Sequence, residues 1–164
     1  MDYVPQDPRM RFRKREPWLG GDLIRAQDTY QAFVSEVDAD IYVAALTTAP
    51  FMTAASIDAA VSKVQSGEYD SAFSAQKIQT FVWYQGKPLN YSPQSIPRTQ
   101  DLDPVLVETS GFFAFRKELW TRYKRRIGLN PYIQIVDDME AVDIDTRQDY
   151  ELAQKLMKGD RGEE

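Results

Sequence analysis

The residues with the clearest chemical signal are two aspartates, Asp143 and Asp145, which are separated only by Ile144. Alternate residues of an extended segment point the same way, so both carboxylates are predicted to lie on one face. Mg²⁺ binds one or two carboxylates and fills its remaining positions with water and phosphate oxygens. The pair is therefore typical of a site for Mg²⁺ or Mn²⁺. The alternative is an acidic edge in which Asp145 and Thr146 help to cap the last helix.

A second signal is the arginine and amide pair Arg98 and Gln100, which lies in the segment 96–102. The planar guanidinium of arginine binds a carboxylate through two parallel hydrogen bonds, and a nearby amide can add a further one. The pair could therefore hold an acidic substrate. The alternative is a surface loop in which Arg98 pairs with Asp101 or Asp103.

The amino-acid composition excludes several kinds of catalytic and metal-binding chemistry. The 164 residues include no histidine and no cysteine, which excludes disulfides, thiolate zinc sites and the common His-based and Cys-based nucleophilic arrangements. Twenty basic and 25 acidic residues give a net charge of −5, which argues against a nucleic-acid partner. A run of five cations in residues 9–15 is the exception, read either as a phosphate contact or as a solvated face. Without an apolar membrane-spanning segment or signal peptide, we expect a cytoplasmic protein with no membrane partner.

The pattern of apolar residues predicts an α/β fold with helices alternating with short buried strands. An apolar run without polar alternation, as in residues 41–46, is typical of a strand covered on both faces and predicts a mostly parallel sheet. Helices are predicted at 22–37, capped by Asp22, from Thr53 to a stop at Gly67, at 116–125, and from a capping box of Thr146 and Asp149. Further strands are predicted at 71–75, 80–84, 105–108, 112–115 and 132–136.

The length predicts a single domain over residues 1–164. Its parts are an irregular N-terminal segment at 1–21, a central insertion at 71–104 and a frayed tail at 159–164. The insertion contains the apolar stretch of Phe81, Val82 and Trp83, followed by a long polar loop. Long loops of this kind rarely lack a packing partner, so we expect the insertion to mediate a homodimer.

Four segments, in this order along the chain, resemble landmarks of the CMP-sugar synthetases, the cytidylyltransferases that join CTP to sugar acids such as N-acetylneuraminate. The segments are Thr48-Ala49-Pro50-Phe51, Asp70-Ser71, Pro97-Arg98-Thr99-Gln100-Asp101-Leu102 and Asp143-Ile144-Asp145-Thr146. The resemblance extends over residues 22–156. It implies a Rossmann-like three-layer nucleotidyltransferase fold with a central β insertion that looks like the family's dimerisation element. The family's first βα unit, with its glycine- and basic-rich CTP loop, has no match here, so we expect that unit to be missing.

The resemblance implies that the anomeric hydroxyl of a nonulosonic-type, N-acylneuraminate-like sugar acid attacks the α-phosphate of CTP and displaces pyrophosphate. Asp143 and Asp145 match the family's Mg²⁺ ligands, and Arg98 and Gln100 match the loop that recognises the sugar acid. Positioning and charge neutralisation by a metal dominate such transfers, so the absence of histidine and cysteine is no obstacle. Because the CTP loop has no match, the expected activity is incomplete. The alternative is a catalytically inactive module that binds a sugar acid or a partner protein.

Overall fold

A computed structural model describes residues 7–21 and 23–160. These residues belong to two compact units, Met1–Asp38 and Ala39–Glu164. The prediction of a single domain over residues 1–164 stays a prediction. Within the described residues, no helix is both long enough and apolar enough to cross a lipid bilayer.

Among the described residues of the first unit, a 3-10 turn at Pro17–Gly20 is followed by one α-helix, α1 (Ala26–Val34). The predicted capping residue Asp22 lies outside the described residues. The helix begins later than predicted because the backbone N–H of Arg25 donates to the Asp28 carboxylate over 3.0 Å, which closes the first turn there. It ends before Ser35, whose hydroxyl donates to the Ala32 carbonyl over 3.0 Å.

The second unit contains six strands and three helices among its described residues. In chain order they are β1 (Ile41–Ala45), α2 (Ala54–Gln65), β2 (Ser71–Ile78), β3 (Trp83–Tyr84), β4 (Lys87–Pro88), β5 (Val105–Arg116), α3 (Lys117–Tyr123), β6 (Pro131–Val136) and α4 (Arg147–Asp160). The last helix, α4, continues through Asp160, and residues 161–164 lie outside the described part of the chain, so the frayed tail at 159–164 stays a prediction.

Four strands form the central sheet in the order β1-β5-β2-β6. β5 is antiparallel to both β1 and β2, and β2 is parallel to β6, so β1, β2 and β6 all run in one direction. The predicted α/β, Rossmann-like fold class is therefore confirmed, with β5 as the reversed strand. Because β1, β2 and β6 share a direction, their carboxyl ends lie at the same end of the sheet. The connections that follow them therefore all begin there, at 46–53, 79–104 and 137–146.

β5 is one continuous strand, whereas the sequence predicted two strands separated by Ser110 and Gly111. Ser110 adopts a positive φ of 56°, and the β2–β5 register shifts between Phe73 and Ala75, so the small pair makes a β-bulge. The hydroxyl of Ser74 fills the bulge, since it accepts the backbone N–H of Phe112 over 3.2 Å. The prediction of a break was wrong because a bulge bends a strand without ending it.

The core of the second unit lies between α2 and one face of the sheet. Five of its residues are fully buried: Ala60, Val64, Ala72, Phe112 and Ala114. Phe115 of β5 lies on the opposite face of the sheet from Phe112 and Ala114, and its ring packs on Tyr42 at 5.7 Å and on Trp120 at 5.6 Å, measured between ring centroids. The apolar run at 112–115 therefore lies in the interior, as the pattern predicts. The prediction that residues 41–46 form a strand covered on both faces was wrong: β1 is the outermost strand of the described sheet, only Tyr42 is buried and Val43 is 40% exposed.

At the amino end of β2, Asp70 organises the turn that precedes β6. Its carboxylate accepts the backbone N–H of Leu129 over 2.8 Å and that of Asn130 over 3.0 Å, and the Ser71 hydroxyl donates to it over 2.7 Å. The Ser71 hydroxyl in turn accepts the N–H of Gly128 over 2.9 Å. The predicted turn at 128–131 is confirmed, and the Asp70-Ser71 pair is what fixes it to the sheet.

The first part of the predicted insertion at 71–104 is β2, which belongs to the central sheet. The rest contains a 3-10 turn at Thr99–Asp101 and a hairpin of two two-residue strands, β3 and β4, in place of the strand predicted at 80–84. Gln85 and Gly86 both have positive φ, 49° and 75°, which is the signature of a tight hairpin turn. Beyond the hairpin strands, the Leu89 N–H donates to the Val82 carbonyl over 2.7 Å, and the Asn90 side chain takes over: its amide oxygen accepts the Val82 N–H over 3.0 Å and its amide nitrogen donates to the Thr80 carbonyl over 2.8 Å.

Candidate metal and sugar-acid site

The Asp143-Ile144-Asp145 segment lies at the carboxyl end of β1, although it follows β6 in the chain. The backbone N–H of Ile144 donates to the carbonyl of Thr48 over 2.8 Å. Thr48 belongs to the turn after β1, which is closed by the Ala49 N–H donating to the Leu46 carbonyl over 3.2 Å. Two of the segments singled out in the sequence are therefore joined directly by a hydrogen bond.

Glu140 attaches the connection at 137–146, which contains Asp143 and Asp145, to the start of α2. Its carboxylate accepts the Thr53 N–H over 3.0 Å, the Thr53 hydroxyl over 2.7 Å and the Ser56 hydroxyl over 3.0 Å. The predicted cap of α2 by Thr53 is confirmed, since its hydroxyl accepts the Ser56 N–H over 3.2 Å. A carboxylate at a helix N-terminus is also favoured by the helix dipole. Sequence analysis missed Glu140 because nothing local connects it to Thr53.

Asp143 is only partly exposed, and its Oδ1 atom is buried without a hydrogen-bond partner among the described residues. A buried carboxylate oxygen that lacks a donor is costly, and a bound cation removes that cost. The residues present therefore fit a divalent metal. Within the described residues no three Asp, Glu, His or Cys side chains form a metal-binding group, so such an ion would take water and substrate oxygens as its further ligands.

The alternative role for Asp145, capping of α4, is carried by a different carboxylate. Asp149 accepts the N–H of Thr146 over 2.8 Å and that of Asp145 over 3.3 Å, and its own N–H donates to the Thr146 hydroxyl over 3.3 Å. The predicted capping box is therefore confirmed. The hydrogen bond from the Thr146 hydroxyl is the main cause that holds the pKa of Asp149 below its usual range. The cap is therefore intact at neutral pH and is lost only as the pH falls through this lowered pKa.

Arg98 and Gln100 lie in the connection between β2 and β5, on or beside a 3-10 turn at Thr99–Asp101. The exposed guanidinium of Arg98 binds the Asp101 carboxylate through two hydrogen bonds of 2.7 and 3.0 Å. This is the partner that the alternative reading of the sequence predicted. The geometry is also the two-bond geometry that a substrate carboxylate would use.

Two residues that sequence analysis missed set the shape of this loop. The amide nitrogen of Gln79 donates to the carbonyl of Gln100 over 2.9 Å and to that of Leu102 over 3.2 Å, and the Leu102 side chain is buried. The side chain of Gln100 is exposed. The described hydrogen bonds join the Asp143 segment to the turn after β1, and the Arg98 loop to Gln79, which follows β2. Both segments are therefore attached at the carboxyl ends of parallel strands.

The sheet order, the reversed β5 and the packed α2 define this chain as an α/β protein with a Rossmann-like fold. In sequence, no protein-family model and no curated protein matches it. In structure it is similar to CMP:2-keto-3-deoxy-manno-octonic acid synthetase, solved in complex with CTP, with a TM-score of 0.60 and 17% sequence identity. The match covers 85% of this chain and 70% of that one, and it shows the shared fold.

Proposed function

We propose that this chain is a cytidylyltransferase-like protein that activates a sugar acid of the nonulosonic, N-acylneuraminate-like type with CTP. The observation that carries the proposal is the buried, unpartnered Oδ1 of Asp143 at the carboxyl end of β1. The fold shared with a CTP-bound CMP-sugar synthetase supports the choice of nucleotide. In open α/β sheets, substrates bind outside the carboxyl ends of the strands. Asp143 and Arg98 both lie in connections that begin at the carboxyl ends of strands.

In this proposal each residue of the chain has a separate role. Asp143 and Asp145 hold a Mg²⁺ ion, which when bound neutralises charge that develops on the phosphates. Arg98 exchanges Asp101 for the carboxylate of the sugar acid, and Gln100 adds an amide contact. The anomeric hydroxyl of the sugar then attacks the α-phosphate of CTP, the bond to the leaving pyrophosphate breaks, and the hydroxyl proton goes to solvent.

The direct test is a CMP-sugar formation assay with CTP, Mg²⁺ and a panel of sugar acids. Because no segment of the chain matches the family's CTP loop, we expect slow turnover or none, since positioning supplies much of the barrier reduction in such transfers. Running the assay in parallel on a version extended upstream separates a weak site from a wrong function. Sugar-acid binding without turnover by either version would favour the inactive binding module, a reading supported by the existing Arg98–Asp101 pair.

Arg98→Ala is expected to weaken sugar-acid binding by about 1.5–3 kcal/mol, or roughly tenfold to a hundredfold, because a charge-assisted pair with the sugar carboxylate is lost. Isothermal titration calorimetry with the sugar panel measures the loss. Arg147→Ala is the matched control, since Arg147 also forms an exposed ion pair, with Glu151 at 3.0 Å. Equal affinities for wild type and Arg98→Ala would remove Arg98 from the site.

The insertion is expected to form a homodimer interface, because residues 80–104 expose Trp83, Tyr84, Leu89 and Ile96 around the β3–β4 hairpin. Exposed apolar clusters of this kind mark interaction sites. Size-exclusion chromatography with light scattering should give twice the chain mass for the wild type and a monomer for a Trp83→Asp, Ile96→Asp double variant. A Leu129→Asp control, also highly exposed but outside the insertion, should stay dimeric. A wild-type monomer at high concentration would contradict the proposal.

A further inference from the structure

We propose that residues 9–18, which we call the basic segment, bind anionic lipid surfaces. The segment belongs to the first unit. Its sequence, Arg-Met-Arg-Phe-Arg-Lys-Arg-Glu-Pro-Trp, interleaves cations with large apolar side chains. This proposal departs from the expectation of no membrane partner, which rested on the lack of a membrane-spanning segment and could not include side-chain exposure.

The cations of the basic segment fall into two groups. Arg13 is committed to α1, because its guanidinium donates to the Ala32 carbonyl over 3.3 Å and pairs with the Glu36 carboxylate. Arg9 pairs with Asp7 at 2.7 Å. Within the described residues, Arg11, Lys14 and Arg15 form no ion pair or hydrogen bond of their side chains, and all three are exposed. The Arg13 contacts thus attach the segment to α1 while three cations stay available for an anionic partner.

The apolar side chains of this region are unusually accessible. Met10 is 51% exposed, Phe12 56% and Trp18 59%, and Leu23 just beyond the segment is 94% exposed. Aromatic and aliphatic side chains next to cations are the combination that binds at a bilayer interface, where rings and alkyl chains enter the headgroup region.

The composition of the exposed set favours a lipid surface over a single-stranded nucleic acid. Both are polyanions, and both attract Arg11, Lys14 and Arg15. Nucleic-acid bases, however, are bound by stacking on ring faces, and Met10 and Leu23 have no ring to offer. A bilayer accepts all four apolar side chains. The net charge of −5 on the whole chain opposes approach to any anionic surface, so binding should need both the cations and the apolar side chains.

The test is cosedimentation of the full chain with phosphatidylcholine vesicles that contain or lack phosphatidylserine. We expect binding that requires phosphatidylserine and weakens with added salt. Each available cation should contribute about fivefold, so Arg11→Gln, Lys14→Gln, Arg15→Gln together should weaken binding by roughly a hundredfold. Phe12→Ser, Trp18→Ser should also weaken it at constant charge. The control triple Arg122→Gln, Lys155→Gln, Lys158→Gln removes the same charge from exposed positions of the second unit and should bind nearly as wild type.

Three outcomes overturn the inference. One is equal binding of the wild type to both kinds of vesicle, and another is equal loss in the two charge triples, which would reduce the effect to net charge. The third is tighter binding to a thymidine oligonucleotide than to vesicles at equal concentrations of anionic groups, which would assign the segment to nucleic acid. Circular dichroism of every variant verifies that the fold is retained. None of these outcomes bears on the proposed cytidylyltransferase-like function.

Discussion

Asp143→Asn is expected to weaken Mg²⁺ binding at least about a hundredfold, because it removes the charge of a direct ligand, and even outer-sphere partners of metal ligands change affinity by about 10- to 100-fold. Asp145→Asn should show a loss of the same kind. Calorimetric titration with Mg²⁺ or Mn²⁺ measures both variants against the wild type. Asp58→Asn, an exposed aspartate on α2, is the control and should leave the affinity unchanged.

The thermal stability of Asp143→Asn, measured with and without Mg²⁺, distinguishes a metal ligand from a structural residue. In metal-free buffer the carboxylate of Asp143 carries a buried oxygen without a donor, so an amide in its place should leave the thermal stability equal or higher. With saturating Mg²⁺ the wild type should gain stability and Asp143→Asn should not, because a ligand that binds only the folded state raises the melting temperature. Equal Mg²⁺ affinity for the wild type and both asparagine variants would falsify the metal site.

Gly128→Ala is expected to lower the free energy of unfolding by about 3 kcal/mol, a large value for a single methyl group. A Cβ at this position would overlap the Asp70 carboxylate, so one of the two must move. That carboxylate accepts hydrogen bonds from Leu129, Asn130 and Ser71, and each of these would weaken. For a chain of this size the loss corresponds to a fall in melting temperature of roughly 6–12 °C.

Differential scanning calorimetry checks the effect, with Gly20→Ala as the matched substitution. A Cβ at Gly20 meets nothing within 4 Å, so the control should melt close to the wild type. The expected damage at Gly128 comes from steric overlap and not from backbone strain, so Gly128→Ser should be at least as damaging. A melting temperature for Gly128→Ala within a degree or so of the control would mean that Asp70 moves aside without loss.

Local patterns predicted most of the elements correctly. The cap of α2 by Thr53, its end at Gly67 with a φ of 86°, and the capping box of Thr146 and Asp149 all depend on residues within four positions of each other. The apolar run of β1 was equally clear. The run did not reveal strand direction or burial: β1 is the outermost strand of the described sheet, it pairs antiparallel with β5, and its Val43 is 40% exposed.

The features that the sequence did not reveal depend on residues far apart in the chain. The continuity of β5 depends on Ser74, which lies on a different strand and fills the bulge beside Gly111. The position of the Asp143 segment depends on Thr48 and Glu140, and the shape of the Arg98 loop depends on Gln79. The candidate residues could be chosen from their chemistry and the family resemblance. Their supporting contacts required the fold.

The strand order also determines when this protein can fold during its synthesis. β1 and β2 each pair with β5 and not with each other, so neither has an antiparallel partner until β5 has left the ribosome. At about 5–20 residues per second, the interval between the emergence of Ala45 and that of β5 is on the order of several seconds. Throughout that time the apolar strand β1 is an unpaired edge, which is a template for association with other chains. The nascent chain is therefore most exposed to aggregation, and most in need of a chaperone, in the period before β5 appears.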